Sequence, residues 1–285
     1  MGKKKKPDIS TVPEEHRLID VEKAIKDKNP RLLKWMPGLL LRYIKKTLHQ
    51  DELNNIIYRN SHKEGKDFLD AGIEEFELNI TYRGLENIPK EGGVYLTANH
   101  PLGGLDGVAM LSLVSKVRID LKFFVNDLLM QIKNFGPFFV PVNKHGLNGK
   151  EYKKRFEEVY SSDQCLLIFP AGLVSRKQKK GKIEDLQWKK SIIQKAIEHN
   201  KPIVPIHISA KNSNKFYNIA KWRKKFGVKA NLEMFFLADE MFRQRGKTIH
   251  FEIGKPIPAS HWDSSKKPEE WVQWLKEKVY SLPSS

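Results

Sequence analysis

Cysteine is almost missing from this chain. With Cys165 alone among 285 residues no intramolecular disulfide can form, so the fold rests on packing and suits a reducing compartment. That residue opens the apolar run Cys165-Leu166-Leu167-Ile168-Phe169, the setting of a buried strand residue and not of a nucleophile. The chain also lacks a Gly-x4-Gly-Lys-Ser/Thr phosphate loop, a His-Glu-x-x-His pair and any Cys-x-x-Cys, which leaves nucleotide hydrolysis and zinc chemistry without support. No Gly-x-Ser-x-Gly elbow marks a nucleophilic serine. Acidic residues are scarce: 34 Asp and Glu face 51 Lys and Arg, for a net charge of +17. So basic a surface expects polyanions, whether anionic lipid headgroups, a phosphorylated substrate or cofactor, or nucleic acid. No signal peptide or internal repeat is evident, and Lys6 stands where a myristoylation signal would place Ser or Thr.

What is present suffices for a substantial core. Hydrophobic residues make up 40% of the chain, and one large α/β domain behind a helical extension is the simplest partition. Residues 1–15, a lysine run followed by polar and proline residues, read as a basic disordered tail. Residues 16–72 read as the helical extension. Within it, Arg31–Leu48 interleaves Leu32, Leu33, Trp35, Met36, Leu39, Leu40, Leu41, Tyr43 and Ile44 with Arg31, Lys34, Arg42, Lys45 and Lys46, and Pro37-Gly38 interrupts the run. It is too short and too charged to span a bilayer. It either lies along a membrane surface or packs as a hairpin on the domain's own core, and amphipathic periodicity does not choose between them.

Residues 73–285 read as the α/β domain. Strands are expected at Phe76–Tyr82, Val94–Thr97, Leu121–Val125, Pro137–Val142, Cys165–Phe169, Pro202–Ile208 and Thr248–Ile253. Helices are expected at Leu105–Val114, Asp127–Lys133, Tyr152–Tyr160, Asp185–Glu198 and from Pro268 onward. Strands alternating with helices predict a mostly parallel central sheet flanked by helices, with ligands at the carboxyl ends of the strands.

The stretch Val94–Met110 stands out. A polar loop, Asn99–Gly104, joins a buried strand to an apolar helix. Pro101 blocks a continuous helix from His100, and Gly103-Gly104 lets the chain fold tightly enough for His100 and Asp106 to meet as a general base and its orienting carboxylate. Taken alone, the pair is more simply a capped helix start, with Asn99 or Asp106 satisfying backbone amides.

Three further segments change that reading. Together with Asn99-His100-Pro101 and Asp106, the segments Val142-Asn143-Lys144, Phe169-Pro170-Ala171-Gly172-Leu173-Val174-Ser175-Arg176 and Val204-Pro205-Ile206 resemble, in order, the four motifs of the glycerolipid acyltransferases of lysophosphatidate type. The spacing here is His-x5-Asp where that family carries His-x4-Asp, a longer form similar to the bacterial hemolysin-like branch. Lys144 stands where the family has arginine, and Ala171-Gly172-Leu173-Val174 where it has Glu-Gly-Thr-Arg.

The resemblance implies an O-acyltransferase of membrane lipid synthesis, peripheral on the cytoplasmic face of the cell membrane. It would bind no cofactor and take acyl-CoA or acyl-carrier protein as the acyl donor. His100 and Asp106 would be catalytic, and Asn99, Gly103, Gly104, Lys144, Gly172, Ser175 and Arg176 would bind substrate. With no serine elbow, the acceptor hydroxyl attacks the thioester directly. Partners would be anionic membrane lipids, the lysolipid acceptor and acyl-carrier protein, with nucleic acid disfavoured. Lys144, Arg176 and the lysine-rich loop after it put a lysophosphatidate-like lysophospholipid first among acceptors. A lyso-aminolipid, an acylated ornithine or glycine whose carboxylate needs fewer fixed donors, is the alternative. A non-catalytic lipid- or nucleic-acid-binding protein is the reading of another class, resting on the basic surface alone. His145, His199 and His207 have no setting comparable to that of His100 and read as structural.

Overall fold

The computed structural model describes residues 12–125, 127–141, 149–178, 181–227 and 231–283. Of the expected basic tail, residues 1–11 lie outside these; Val12 is buried and Glu14–His16 form a short 3-10 turn. Five helices follow: α1 (Val21–Lys28), α2 (Pro30–Trp35), α3 (Gly38–Thr47), α4 (Gln50–Arg59) and α5 (Gly65–Glu75). Asp20 and Asn29 start the first two by accepting the backbone N–H groups of Lys23 and Leu32, and Pro37 separates α2 from α3.

The remainder alternates. In chain order come β1 (Asn79–Arg83), β2 (Val94–Ala98), α6 (Gly104–Val114), β3 (Leu121–Val125), α7 (Asp127–Met130), β4 (Phe139–Pro141), α8 (Gly149–Ser161) and β5 (Cys165–Ile168). A short antiparallel pair, β6 (Arg176–Lys177) and β7 (Ile183–Glu184), precedes α9 (Ser191–Glu198), β8 (Ile203–Ser209), α10 (Asn214–Lys225), α11 (Leu237–Phe242), β9 (Thr248–Ile253) and α12 (Pro268–Tyr280). Among the described residues seven strands form one sheet in the order β1-β9-β8-β2-β5-β3-β4. Every pairing in it is parallel except β8 with β9. This is the mostly parallel, helix-flanked sheet that the alternation of elements predicts.

Both faces of that sheet are covered, which is why its strands read as continuous apolar runs. Val94, Leu96 and Ala98 of β2 enter one core with Leu69 of α5 and Met110 of α6, while Tyr95 enters another with Ile193 of α9 and Leu275 of α12. All five residues of β2 are buried, and the strand lies between β8 and β5. Whatever follows β2 therefore emerges at the middle of the sheet's carboxyl edge. The extension is tied to the same core, because Phe68 and Leu69 of α5 pack with α6. The boundary expected between residues 72 and 73 falls inside α5.

Three local expectations shift. The strand expected at Phe76–Tyr82 begins only at Asn79, because Phe76 closes α5 by donating its N–H to the Gly72 carbonyl and sinks its ring into the core. The strand expected at Pro137–Val142 begins only at Phe139 of β4, since residues 133–138 wind as a 3-10 segment broken at Gly136, and Val142 lies outside the described residues. The helix expected from Asp185 begins at Ser191, because the Asp185 side chain is held elsewhere, as follows.

Candidate active site

As β2 parts from β8, Asn99 bridges the gap. Its Oδ1 accepts the Ile208 N–H at 2.7 Å and its Nδ2 donates to the Ile208 carbonyl at 3.0 Å. His100 follows, with Nδ1 at 3.1 Å from Asp106 Oδ2. That same oxygen accepts the N–H groups of Leu102 at 2.7 Å and Gly103 at 3.1 Å. Gly103 caps α6 at φ +96°, a backbone conformation that residues with a Cβ rarely adopt. Capped helix and oriented base are thus one arrangement, both served by a single carboxylate oxygen.

The hydrogen bonds assign the tautomer. Amide groups can only donate, so Asp106 Oδ2 is the acceptor throughout and the imidazole proton sits on Nδ1. Nε2 then carries the free lone pair, and His100 lines an open pocket of about 480 Å³. The Phe169 ring stacks on the imidazole, with centroids 4.3 Å apart and planes inclined by 20°. Asp106 is fully buried. Burial pushes its carboxyl above the ordinary value, while His100 and the two amides pull it back. Enclosed away from bulk solvent, the carboxylate acts strongly on any positive charge that forms on the ring.

A second carboxylate holds the backbone of the same loop. Asp185 Oδ1 accepts the His100 N–H at 3.1 Å and the Ser175 hydroxyl at 2.5 Å, and Oδ2 accepts Trp188 Nε1 at 2.9 Å. The Ser175 N–H in turn donates to the His100 carbonyl at 2.8 Å. From α12, the Tyr280 hydroxyl accepts the Asp185 N–H and Lys276 Nζ donates to the Asp185 carbonyl, both at 2.7 Å. Sequence reasoning missed Asp185, since an acid at an expected helix start reads as a cap.

The residues expected to bind substrate divide. Gly103, Gly104 and Gly172 line the pocket with His100. Asn99 and Ser175 are buried struts whose polar atoms are occupied by β8 and Asp185. Arg176 is not among the residues lining the pocket: it is buried, Nε donates to Glu233 at 3.1 Å, Nη1 donates to the carbonyls of Val174 and Ser175, and the guanidinium lies 5.1 Å from the Phe216 ring centroid. Arg223 reaches the other Glu233 oxygen at 2.8 Å. A guanidinium so enclosed is not available to grip an anionic substrate. Lys144, with Val142 and Asn143, lies outside the described residues, as do Lys179 and Lys180.

Other groups stand apart from the chemistry. Burial pushes the Cys165 thiol up to about 12, so no thiolate is on offer. Among the described residues, Glu157, Glu198 and His199 converge as metal ligands would, yet Lys195 Nζ already bonds both carboxylates at 2.5 and 2.7 Å. A second, apolar cavity of about 200 Å³ shares Gly104, Phe123 and Leu129 with the His100 pocket and reaches Ile56, Phe68 and Val108 beneath α4 and α5.

A family model described as acyltransferase matches residues 23–285. The chain belongs to the acyltransferase family. The lyso-glycine lipid O-acyltransferase of Bacteroides thetaiotaomicron is 43% identical over 267 residues, covering 93% of this chain and 97% of that one. The protein of the same name from Phocaeicola vulgatus is 42% identical over 266 residues, covering 93% and 95%. A looser likeness, at 13% identity and a TM-score of 0.44, links the chain to the crystal structure of the 1-acyl-sn-glycerophosphate (LPA) acyltransferase PlsC from Thermotoga maritima, covering 88% and 100%. This acyltransferase is an enzyme, and the reading as a non-catalytic binding protein falls away.

Replacing His100 with Ala is expected to lower acyl transfer by about 10²- to 10⁴-fold, the contribution of a positioned base, with a melting temperature within a few degrees of wild type. Asp106→Asn should lose comparable activity by presenting the wrong tautomer. Asp185→Ala should lower kcat by about tenfold and change the acceptor KM by less than about threefold, because it loosens the loop without touching the substrate. Steady-state kinetics with thermal melts checks all three, and near-normal turnover by a folded His100→Ala protein would remove the base from the mechanism.

Proposed function

We propose that this acyltransferase moves a fatty acyl group from an acyl thioester, carried by coenzyme A or acyl-carrier protein, to the hydroxyl of a lyso-glycine lipid at a membrane surface. The observation that carries this reading is the similarity to two proteins named lyso-glycine lipid O-acyltransferase at 43% and 42% identity along 93% of the chain. It reverses the order of acceptors expected from the sequence, in which a lysophosphatidate-like lipid came first. The buried Arg176–Glu233 pair supports the reversal, because the guanidinium that would have forked onto a phosphate is already engaged inside the protein.

His100 does the proton work. Nε2 takes the proton of the acceptor hydroxyl as its oxygen attacks the thioester carbonyl carbon. Asp106 stabilises the imidazolium that results, and the ring returns the proton to the departing thiolate. No acyl-enzyme is involved: the Ser175 hydroxyl is turned to Asp185 and the Cys165 thiol is buried. An acyl chain takes the second cavity, whose apolar walls meet the first beside Gly104.

The membrane contact falls to α2 and α3. Trp35 is 83% exposed and Leu39 is 75% exposed, and Leu32, Leu40 and Tyr43 are exposed with them. Lys34, Arg42, Lys45 and Lys46 stand on the same two helices. Large apolar side chains edged by cations are the chemistry of an anionic bilayer surface. Among the described residues no helix is long and apolar enough to cross a membrane.

Three measurements bear on this. With one acyl donor, kcat/KM for a lyso-glycine lipid is expected to exceed that for lysophosphatidate by at least about tenfold. Transfer confined to lysophosphatidate would overturn the acceptor. Val108→Phe, which fills the apolar cavity, should shift preference from long to short acyl chains, and an unchanged chain-length profile would place the chain elsewhere. Finally, Trp35→Glu with Leu39→Glu should abolish flotation with anionic vesicles, and flotation of the wild type should weaken as salt shortens the Debye length below about 10 Å. Flotation indifferent to both would leave α2 and α3 without that role.

A further inference from the structure

Among the described residues lining the His100 pocket, Lys189 is the one lysine or arginine. Its neighbour Lys190 is tied to Glu269 at 2.5 Å, whereas no described acidic side chain pairs with Lys189. Its placement is built. The Lys189 N–H donates to the Pro170 carbonyl at 3.1 Å, which fastens it to the turn that follows β5. One residue before Pro170 is Phe169, the ring stacked on the catalytic imidazole. The ammonium lies over Gly172, so close that a Cβ there would stand 3.3 Å from Nζ. Gly172 has φ +64°, so a side chain at this position would be strained as well as crowded. The glycine of the third motif thus makes the room in which a lysine 17 residues on reaches the pocket.

We propose that Lys189 binds the carboxylate of the acceptor and so sets this enzyme's preference for a glycine-type headgroup. The inference deepens the lyso-glycine lipid reading and rests on it. Two sources of an anionic oxygen exist in the reaction, the acceptor's carboxylate and the donor's phosphates. A single ammonium is a point charge: it balances one monoanionic carboxylate, whereas a phosphate dianion would leave a second charge unbalanced in the pocket. Arg176, the cation that would complete a phosphate site from the third motif, faces Glu233 instead. In a pocket whose other described walls are largely apolar, this one charge decides which end of an amphipathic acceptor faces the base.

The test crosses the charge on the protein with the charge on the substrate. Lyso-glycine lipid and its uncharged primary amide are offered to the wild type, Lys189→Met and Lys189→Arg, with the KM of the acyl donor measured alongside and thermal melts to confirm folding. Wild type is expected to favour the carboxylate by about tenfold or more in kcat/KM. Lys189→Met should lose about tenfold on the carboxylate, chiefly through KM, and retain less than about threefold preference over the amide, with Lys189→Arg recovering most of the loss. A folded Lys189→Met protein that keeps the full preference would overturn the role of Lys189 alone. A KM increase confined to the donor would overturn it too, by assigning the ammonium to phosphate. No turnover of the glycine lipid by wild type would overturn the acceptor reading and this inference together.

Discussion

Asp106 is enclosed on every side, and a carboxylate without water must find its hydrogen bonds inside the protein or lose its charge. It finds them on one oxygen, from two loop amides and an imidazole. Everything local follows from that demand. The amides of Leu102 and Gly103 can reach one point only if the loop turns back on itself, which requires the positive φ of Gly103 and the break that Pro101 imposes before it. The imidazole can reach the same point only in one tautomer, so the atom left over, Nε2, is the one that can accept a proton. The helix cap and the oriented imidazole share an acceptor.

Around that loop the sheet supplies rigidity. β2 is buried along its whole length between two parallel neighbours, so the residues that leave its carboxyl end start from a fixed place. Asp185 then joins the loop to the segment after β5 and to α12, taking the His100 N–H and the Ser175 hydroxyl on its side chain and meeting the Tyr280 hydroxyl and the Lys276 ammonium with its own backbone. The Arg176–Glu233–Arg223 cluster plays a parallel part, holding the segment that contributes Met234 and Leu237 to the pocket wall. Burying three charges is costly unless the geometry is good, and Glu233 meets Arg223 on both oxygens and Arg176 on one of them. A basic residue in the third motif therefore clasps the wall of the site and does not face its contents.

The pocket joins two environments that acyl transfer needs side by side. Among the described residues, one side holds His100 and a single lysine at the carboxyl edge of the sheet; the other runs beneath the helical extension and is apolar. Gly104 stands where they meet, and a Cβ there would touch nothing within 4 Å, so the glycine borders open space at the junction. α5 contributes both to the core and to the apolar cavity, so the helical extension packs into the same body as the sheet.

The sequence by itself determined the layering, the parallel sheet and the local partnership of His100 with Asp106. Strand and helix periods are written in consecutive residues, and two side chains six apart across a proline and two glycines have few ways to meet. Tertiary structure alone decided which charges are enclosed and which face the pocket. Arg176 and Lys189 are equally basic as letters. One lies against an acid 57 positions away and the other opens onto the site, while Asp185 acts on a residue 85 positions before it. A side chain's charge is local, but what neutralises it is whatever the fold packs against it, and that is decided only when distant segments meet.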